Sequence, residues 1–436
     1  MRRRITTVVV VVAVAAGMLV VGGLLGARGG IEGGPGAHRA VDAQPVDRLA
    51  ESIARAQERL RRVPGDWVTW AALGVAYVEQ ARVTTDPTYY PKAEGAARRS
   101  LTVRPDDNAN ALVALGALAN ARHDFEAAQR YARDAIAING FDADAYAVLV
   151  DAQTQLGHAA AATESVQRLL DLRPGLSAYA RASYDLEQRG RVDQAADLMR
   201  SALAAAVASH DIAFCRNQLG DLAFATGDLT TADREYAAGL MADPSSMMLR
   251  RGRARVAAAR GNLAPALASY AELTRRAPTP SHLLEYAELL RAAGRDDDAR
   301  EQVELASAAH TLFTANGGVD GLVGVALAAA ANRPDDAVRE AGAEWARRQH
   351  ADVADAMGWA LHLAGRDSEA VRYARRAVDT GARSAEYAYH LGLIELSLGD
   401  QRAARDHLAR ALEINPYFSP LGAPLARRAL AGLATP

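Results

Sequence analysis

Apolar side chains recur at three- and four-residue spacing along nearly the whole chain after residue 46, as on one face of an α-helix. In the first such segment, which begins at Asp47, Leu49, Ile53, Ala56 and Leu60 share one face. Asp47 supplies the carboxylate that suits a helix N-cap. The strict alternation that marks a half-buried strand is missing almost everywhere. The pattern therefore predicts an all-α protein.

Small residues and a proline repeat along the chain about every 34 residues. The last copy contains, in order, Leu391, Gly392, Gly399, Ala404, Ala411 and Pro416. The same order stands upstream at Leu219, Gly220, Gly227, Ala232, Gly239 and Pro244. With two amphipathic helices per copy, this period predicts a stack of helical hairpins that grows by adding copies.

A glycine stands between the two predicted helices of many copies, where it suits a left-handed backbone at a helix C-terminus. These turn glycines are Gly157, Gly190, Gly227, Gly261, Gly294, Gly365 and Gly399. Asp124, Asp228, Asn262 and Asp400 stand where the N-cap of a second helix is expected. The sequence thus predicts a tight turn within each hairpin.

The first complete copy resembles the tetratricopeptide repeat family. The residues that carry this likeness are Trp70, Leu73, Gly74 and Tyr77 on one helix and Ala93, Ala97, Ser100 and Pro105 on the next. An insertion at 82–91 departs from the family pattern, and the stretch 321–349 fits it least. The likeness covers most of the chain from Trp67 to Pro416, about ten units at the family period. It implies a right-handed α-solenoid whose first helices line a concave groove that binds a protein or peptide.

The N-terminus predicts a membrane attachment. Arg2, Arg3 and Arg4 precede an uncharged run at 5–27 that, as a helix, is about 34 Å long at about 1.5 Å per residue. This length spans a hydrocarbon core of about 30 Å, and the arginines favour a cytoplasmic N-terminus. We expect a single-pass protein of a bacterial plasma membrane with an extracytoplasmic solenoid. The alternative is a cleavable signal peptide and a secreted protein.

These patterns divide the chain into four predicted regions. They are a signal anchor or transmembrane helix at 1–28, a flexible Gly- and Pro-rich linker at 29–46, the solenoid at 47–416, and a capping helix with a tail at 417–436. The first helix of the solenoid is predicted to be a half-repeat lid.

Charge and motifs narrow the possible functions. A formal net charge of -2 gives no basic surface for nucleic acid, and the single cysteine, Cys215, allows no internal disulfide. No zinc-protease helix, phosphate-binding loop or nucleophile elbow is present. His362 and His390 could share a metal, although ordinary hydrogen bonds are favoured. We therefore predict a protein without catalytic residues, metal or cofactor.

The likeness to tetratricopeptide repeats also implies which side chains face the groove. These are Asp151, Tyr184, Asn217, Asp221, Arg251, Arg255, Glu288, Arg291, Asp355, Trp359, His362, Tyr389 and His390. The alternative for each residue is an ordinary solvated helix face. Trp359 is either an interface anchor or a residue that fills a gap beside the poorly fitting stretch.

The leading functional hypothesis is a non-catalytic scaffold that is tethered to the outer face of the plasma membrane and binds a peptide or partner protein. A close variant is an assembly chaperone for a membrane or secreted complex. The alternative from another class is a small-ligand-binding or enzymatic subunit that uses a pocket in the groove.

Overall fold

The computed structural model describes residues 45–433, which fold into α-helices with no strand in that range. The predicted membrane segment at 1–28 lies outside the described residues, as does nearly all of the predicted linker. Among the helices of the described part, none is long and apolar enough to cross a membrane.

The described chain forms 22 helices that follow one another with short connections. Their bounds are α1 Pro45–Arg62, α2 Trp67–Thr84, α3 Tyr89–Val103, α4 Ala109–Ala121, α5 Phe125–Ile138, α6 Ala143–Leu156, α7 Ala159–Leu172, α8 Leu176–Glu187, α9 Val192–Ala205, α10 Ser209–Ala225, α11 Leu229–Ala242, α12 Met247–Ala259, α13 Leu263–Arg276, α14 Pro280–Ala292, α15 Asp296–Ala315, α16 Gly321–Ala330, α17 Pro334–Arg347, α18 Ala351–Leu363, α19 Asp367–Asp379, α20 Ala385–Ser397, α21 Gln401–Ile414 and α22 Gly422–Leu433.

Consecutive helices pack as pairs, from α2 with α3 to α20 with α21. The first helices of neighbouring pairs also contact each other, as α2 contacts α4 and α18 contacts α20, so they form one layer of the stack. This arrangement confirms an all-helical solenoid of tetratricopeptide type. At the ends, α1 packs against α2 and α22 packs against α21. The right-handed sense and the domain boundaries stay predictions.

The turns within the pairs have the predicted backbone. All seven turn glycines have positive φ, between 70° at Gly190 and 84° at Gly399. His123 and Asn332 take the same left-handed conformation where a glycine is absent. The side chains of Asp124, Asp228 and Asp400 accept hydrogen bonds as N-caps, whereas that of Asn262 does not.

Small residues allow the helices to approach closely. The ring of Tyr236, which is fully buried, lies between two glycines of the first-helix layer, Gly220 on α10 and Gly252 on α12. A Cβ added at either glycine would lie 2.4 Å from Cε1 of that ring. The Tyr236 hydroxyl donates a hydrogen bond to Asp221 Oδ1 at 2.8 Å. The contact therefore requires glycine on both sides of one ring.

The stack winds back onto itself. The Val319 amide donates to the Arg122 carbonyl at 2.8 Å, and Asn415 Nδ2 donates to the Phe224 carbonyl at 2.9 Å. Arg348 Nη1 lies 3.1 Å from Gln155 Oε1. The partners in the last two contacts are 191 and 193 residues apart in the sequence. This distance corresponds to roughly five to six helix pairs, at about 34 residues a pair.

We call this line of contacts the seam. It joins the turns at 122–124, 155–158, 189–191 and 224–228 to the connections at 316–320, 347–350, 381–384 and 415–419. At Gly190 an added Cβ would lie only 2.3 Å from the Gly381 carbonyl oxygen. The two turns of the stack are therefore in direct backbone contact.

Replacing Gly220 with alanine tests the close approach at Tyr236. We expect a loss of about 1–3 kcal/mol in the free energy of unfolding, because the ring has no room to move away from the new methyl group. Gly342→Ala on α17 is the control, since no atom lies within 4 Å of a Cβ added there. We expect it to stabilise by about 0.5–1 kcal/mol. Chemical unfolding followed by circular dichroism measures both, and equal effects would contradict the packing argument.

A second pair of variants tests the seam. Gly190→Ala and Gly261→Ala both place a side chain at positive φ, but only the first adds a methyl group against the other turn. We expect Gly190→Ala to cost about 1–3 kcal/mol more than Gly261→Ala and to increase the radius of gyration. Small-angle scattering measures the change in size. An unchanged radius together with equal stabilities would show that the seam does not hold the two turns together.

Candidate binding chamber

The winding of the stack converts its inner face into a chamber of about 500 Å³. One wall consists of α8, α10, α12 and α14. The opposite wall consists of the first residues of α18 and α20 and the segment 415–427 after α21. The predicted groove is therefore not an open concave face at this level, because the later turn of the stack covers it.

One pair of charges on the wall is fully matched. Arg251 on α12 binds Glu285 on α14 through two hydrogen bonds, of 2.7 Å and 2.5 Å. The Tyr270 hydroxyl donates a third bond to Glu285, at 3.0 Å. Burial alone would raise the pKa of Glu285, but the Arg251 guanidinium outweighs it and lowers this pKa to about 2. This carboxylate therefore stays ionised.

A second pair joins α12 to α10, the preceding first helix, with the order of acid and base along the chain reversed. Arg255 Nη1 lies 3.1 Å from Asp221 Oδ1, and the two residues are 34 positions apart, as are Arg251 and Glu285. Asp221 also accepts hydrogen bonds from the Tyr236 hydroxyl and from Asn217 Nδ2, at 2.8 Å and 2.7 Å. The carboxylate of Asp221 is therefore saturated by groups of its own wall.

Three further carboxylates in the chamber have no cationic partner among the described residues. We call Glu187 on α8, Glu288 on α14 and Glu386 on α20 the unpaired glutamates. Glu288 Oε1 accepts a hydrogen bond of 2.5 Å from the Ser419 hydroxyl. Within the described part of the chain, the side chains of Glu187 and Glu386 make no hydrogen bond or ion pair. Each of the three comes from a different helix, so the winding of the stack brings them together.

Burial and mutual repulsion raise the pKa of each unpaired glutamate. The pKa of Glu187 rises to about 7 through burial and the nearby carboxylates of Asp221 and Asp352. That of Glu288 also rises to about 7, through burial and the neighbouring Glu285, although the Ser419 bond opposes the rise. Burial and Glu288 hold the pKa of Glu386 well above its ordinary value. The chamber therefore carries protons near neutral pH that such groups lose in water.

Five of the thirteen predicted groove residues line this chamber. They are Tyr184, Asp221, Arg251, Arg255 and Glu288.

Three others form hydrogen bonds or ion pairs with other residues of the solenoid. Asn217 bonds Asp221, as described above. Asp151 forms an ion pair with Arg181, with an oxygen–nitrogen distance of 2.7 Å. Arg291 Nη2 donates to the Ala330 carbonyl at 2.9 Å. Asp151 and Arg291 thus join neighbouring first helices, whereas Asn217 and Asp221 lie on the same helix, α10.

The remaining five form a buried cluster rather than a groove surface. Nδ1 of His390 lies 2.9 Å from Asp355 Oδ2, and its ring stacks on Trp359 at 4.2 Å between centroids. Trp359 is 6% exposed and packs inside the stack, which favours the alternative that it fills a gap. Tyr389 is fully buried against Phe418. The assigned helix phase is therefore incorrect for Tyr389 and for His390, which is 1% exposed.

His362, the last of that group, is half-buried, and its Nδ1 lies 2.5 Å from Asp367 Oδ1. The two histidines considered as metal ligands thus each face a different carboxylate. Among the described residues, no group of three or more His, Cys, Asp and Glu side chains could hold a metal ion.

Several residues that line the chamber were not predicted from the sequence. Glu285 could have been found, because it stands one repeat period after Arg251. Glu187 and Glu386 gave no such signal, since their role depends on the later turn facing the earlier one. The segment 417–436 was interpreted only as a capping helix and tail, yet its residues 417–427 include part of the chamber wall.

Comparison with known proteins supports the repeat family for one part of the chain. Residues 385–418 match the family model described as tetratricopeptide repeat, which covers α20, α21 and the start of the following segment. The last helix pair thus matches the tetratricopeptide repeat model. No curated protein shows a significant match to the chain.

Several solved structures are similar in fold. The APC/C hetero-tetramer Cut9-Hcn1 is 15% identical, covers 88% of this chain and 82% of its own, and has a TM-score of 0.41. The human IFIT1 dimer with PPP-AAAA is 14% identical over 76% and 78%, with a TM-score of 0.47. Yeast Tom70 is 14% identical over 89% and 86%, with a TM-score of 0.37. Scores this low support no argument about the function of this chain.

The raised pKa values predict how stability depends on pH. In the native state Glu187 and Glu288 keep protons that the unfolded chain loses above about pH 4.5, so their contribution to stability falls as pH rises to about 7. The expected slope is about 1.4 kcal/mol per pH unit for each group. We expect the double variant Glu187→Gln, Glu288→Gln to show a shallower decline, because only the share from Glu386 and other groups with raised pKa values remains.

Denaturant unfolding between about pH 5 and about pH 8 measures the difference between the variant and the parent chain. Glu301→Gln, an exposed change on α15, is the control and should retain the decline. Parallel pH profiles for the parent and the double variant would contradict the burial of these two carboxyl groups.

Proposed function

We propose that this protein is a non-catalytic scaffold that binds a segment of a partner protein in the chamber. The observation that carries the proposal is the presence of carboxylates without cationic partners in a cavity of about 500 Å³, where Glu288 is buried and Glu187 and Glu386 are partly buried. Buried charges are normally paired within a protein, so unmatched ones in a cavity favour a partner from outside. The tetratricopeptide repeat at 385–418 supplies part of the chamber wall.

The size of the chamber fits a short segment rather than a folded domain. Ligand sites of about 300–1,000 Å³ enclose most of a small ligand, and the chamber falls within this range. Its Arg251–Glu285 and Arg255–Asp221 pairs hold neighbouring helices in fixed positions. A wall that is already ordered binds with little loss of conformational entropy.

We further propose that the scaffold is tethered to the outer face of a bacterial plasma membrane. The support is the arginine cluster at 2–4 before the uncharged run at 5–27, followed by a Gly- and Pro-rich stretch. The tether would let the solenoid reach partners near the membrane, and an assembly chaperone would use the same arrangement. An unshifted N-terminus on protein extracted from membranes distinguishes an anchor from a cleaved signal peptide.

A small-ligand-binding subunit is the second candidate. The enclosure of the chamber between two turns of the stack favours it, because such a cavity can surround a free small molecule.

Site-specific photocrosslinking in native membranes tests the scaffold. A photoreactive residue replaces Arg383, an exposed residue at the chamber, or Arg300, an exposed residue on α15 that serves as the control. We expect one abundant protein adduct from position 383 and none from position 300. The adduct should disappear when Glu288 and Glu386 are changed to glutamine.

Native mass spectrometry of the purified chain detects any retained small molecule, which would favour the second candidate. Absence of both signals would refute both functions.

A further inference from the structure

The charges that line the chamber do not balance. Six carboxylates face four guanidinium groups. The carboxylates are Glu187, Asp221, Glu285, Glu288, Asp352 and Glu386, and the arginines are Arg251, Arg255, Arg383 and Arg427. Two arginines are held by carboxylates of the same wall, as described above. Four carboxylates and two arginines therefore remain outside these two pairs.

The two remaining arginines do not compensate those groups. Arg383 and Arg427 are exposed, so they lie at the rim of the chamber and are solvated. Arg427 also donates a hydrogen bond to the Pro416 carbonyl. Inside the rim the uncompensated charge is consequently negative.

The acidic groups lie on separate helices around the same space. Glu288 is 9% exposed, and while its Oε1 accepts from Ser419, its Oε2 has no partner among the described residues. Asp352 is also 9% exposed; its Oδ1 accepts from the Tyr387 hydroxyl, and its Oδ2 has no hydrogen bond. His350 Nδ1 lies 3.3 Å from that oxygen and pairs with it only when this nitrogen is protonated. The chamber thus presents buried oxygen atoms whose acceptor capacity is unused.

Aromatic faces accompany these oxygens. Tyr184, Tyr417 and Phe418 line the same cavity. A guanidinium or ammonium group placed over an aromatic ring is attracted by the ring quadrupole, most strongly when water is excluded. Carboxylates with neighbouring rings form the combination that recognises an organic cation rather than a hydrated metal ion.

We propose that the chamber binds a guanidinium or ammonium group, which enters between the unpaired glutamates. This inference rests on the proposed function and identifies the chemistry of the segment that the scaffold holds, a basic one. The cation would restore the charge balance of the wall and supply donors to carboxylate oxygens that have none. The same chemistry could come from a free polyamine, and the experiment below separates the two sources.

Binding to this site depends on the ionisation of the wall. Glu187 and Glu288 have pKa values near 7, so both lose their protons as pH rises above that value. Of the groups that face them, Asp221 and Asp352 disfavour ionisation of Glu187, and Glu285 disfavours that of Glu288. The nearby Arg255 and Arg291 favour ionisation of Glu288. A cationic ligand is therefore held more tightly at about pH 8 than at about pH 6.

The test uses the full chain in mild detergent and fluorescence anisotropy. The probes are a fluorescein-labelled acetyl-tri-arginine amide, unlabelled spermidine as competitor, and a labelled acetyl-tri-glutamate amide as the anionic control. We expect saturable binding of the tri-arginine probe at about pH 8, weakened about tenfold at about pH 6. The tri-glutamate probe should not bind.

Two double variants show whether the tri-arginine probe binds in the chamber. Glu288→Gln with Glu386→Gln should weaken the tri-arginine probe by about a hundredfold, at about tenfold for each charged partner removed. Replacing these acids by neutral isosteres does not threaten folding, since burial already favours their neutral forms. The matched control is Glu301→Gln with Glu304→Gln, two exposed acids on α15, which should leave the affinity unchanged.

Every result of these measurements either supports or overturns the proposed cation site. It is overturned if neither tri-arginine nor spermidine binds, or if the chamber variant binds as tightly as the control variant. If neither cation binds while the adduct from position 383 persists, the inference fails and the scaffold stands. If spermidine binds in the chamber and the peptide does not, the cation chemistry holds and its source is a small molecule, which contradicts the scaffold.

Discussion

The architecture depends on how closely the helices of neighbouring units can approach. Gly220 and Gly252 leave just enough space for the Tyr236 ring between them, and a methyl group at either position would overlap it. Such contacts fix the separation and the angle between consecutive units, because packed interiors do not deform continuously. A small rotation at each unit is then repeated along the stack. The curvature of the whole molecule follows from contacts of this kind.

Curvature repeated over roughly five to six helix pairs brings distant turns into contact at the seam. Backbone atoms meet there, as at Gly190 and Gly381, so the seam is part of the fold and not a loose touching of surfaces. Its consequence is the chamber, which is lined by carboxylates from α8, α14 and α20 that are partly or largely withdrawn from water. Their raised pKa values and their lack of cationic partners are both products of the same closure. Stability and ligand chemistry are therefore linked through the winding of the stack.

The sequence predicted local features more accurately than the site. The turn glycines and the caps at Asp124, Asp228 and Asp400 matched because each depends on the few residues around it. Arg251 and Arg255, two of the predicted groove residues, line the chamber, in a region where the repeat phase is clear. Tyr389 and His390 were placed on the wrong face, since an error of one helical position turns a side chain by about 100°. Pro416 was identified as the end of a repeat, with no signal that it would contact Gly227.

The amino-acid sequence by itself determined the helices, their pairing and the glycine contacts, because these form between residues within about one repeat of each other. Tertiary structure alone decided which face of the stack is covered, where the unpaired glutamates meet, and how strongly they hold their protons. Those properties depend on the sum of many small rotations between units, and no single residue encodes that sum. A carboxylate such as Glu187 is an ordinary surface acid in a repeat considered alone. It becomes a buried one only when the next turn of the stack lies opposite it.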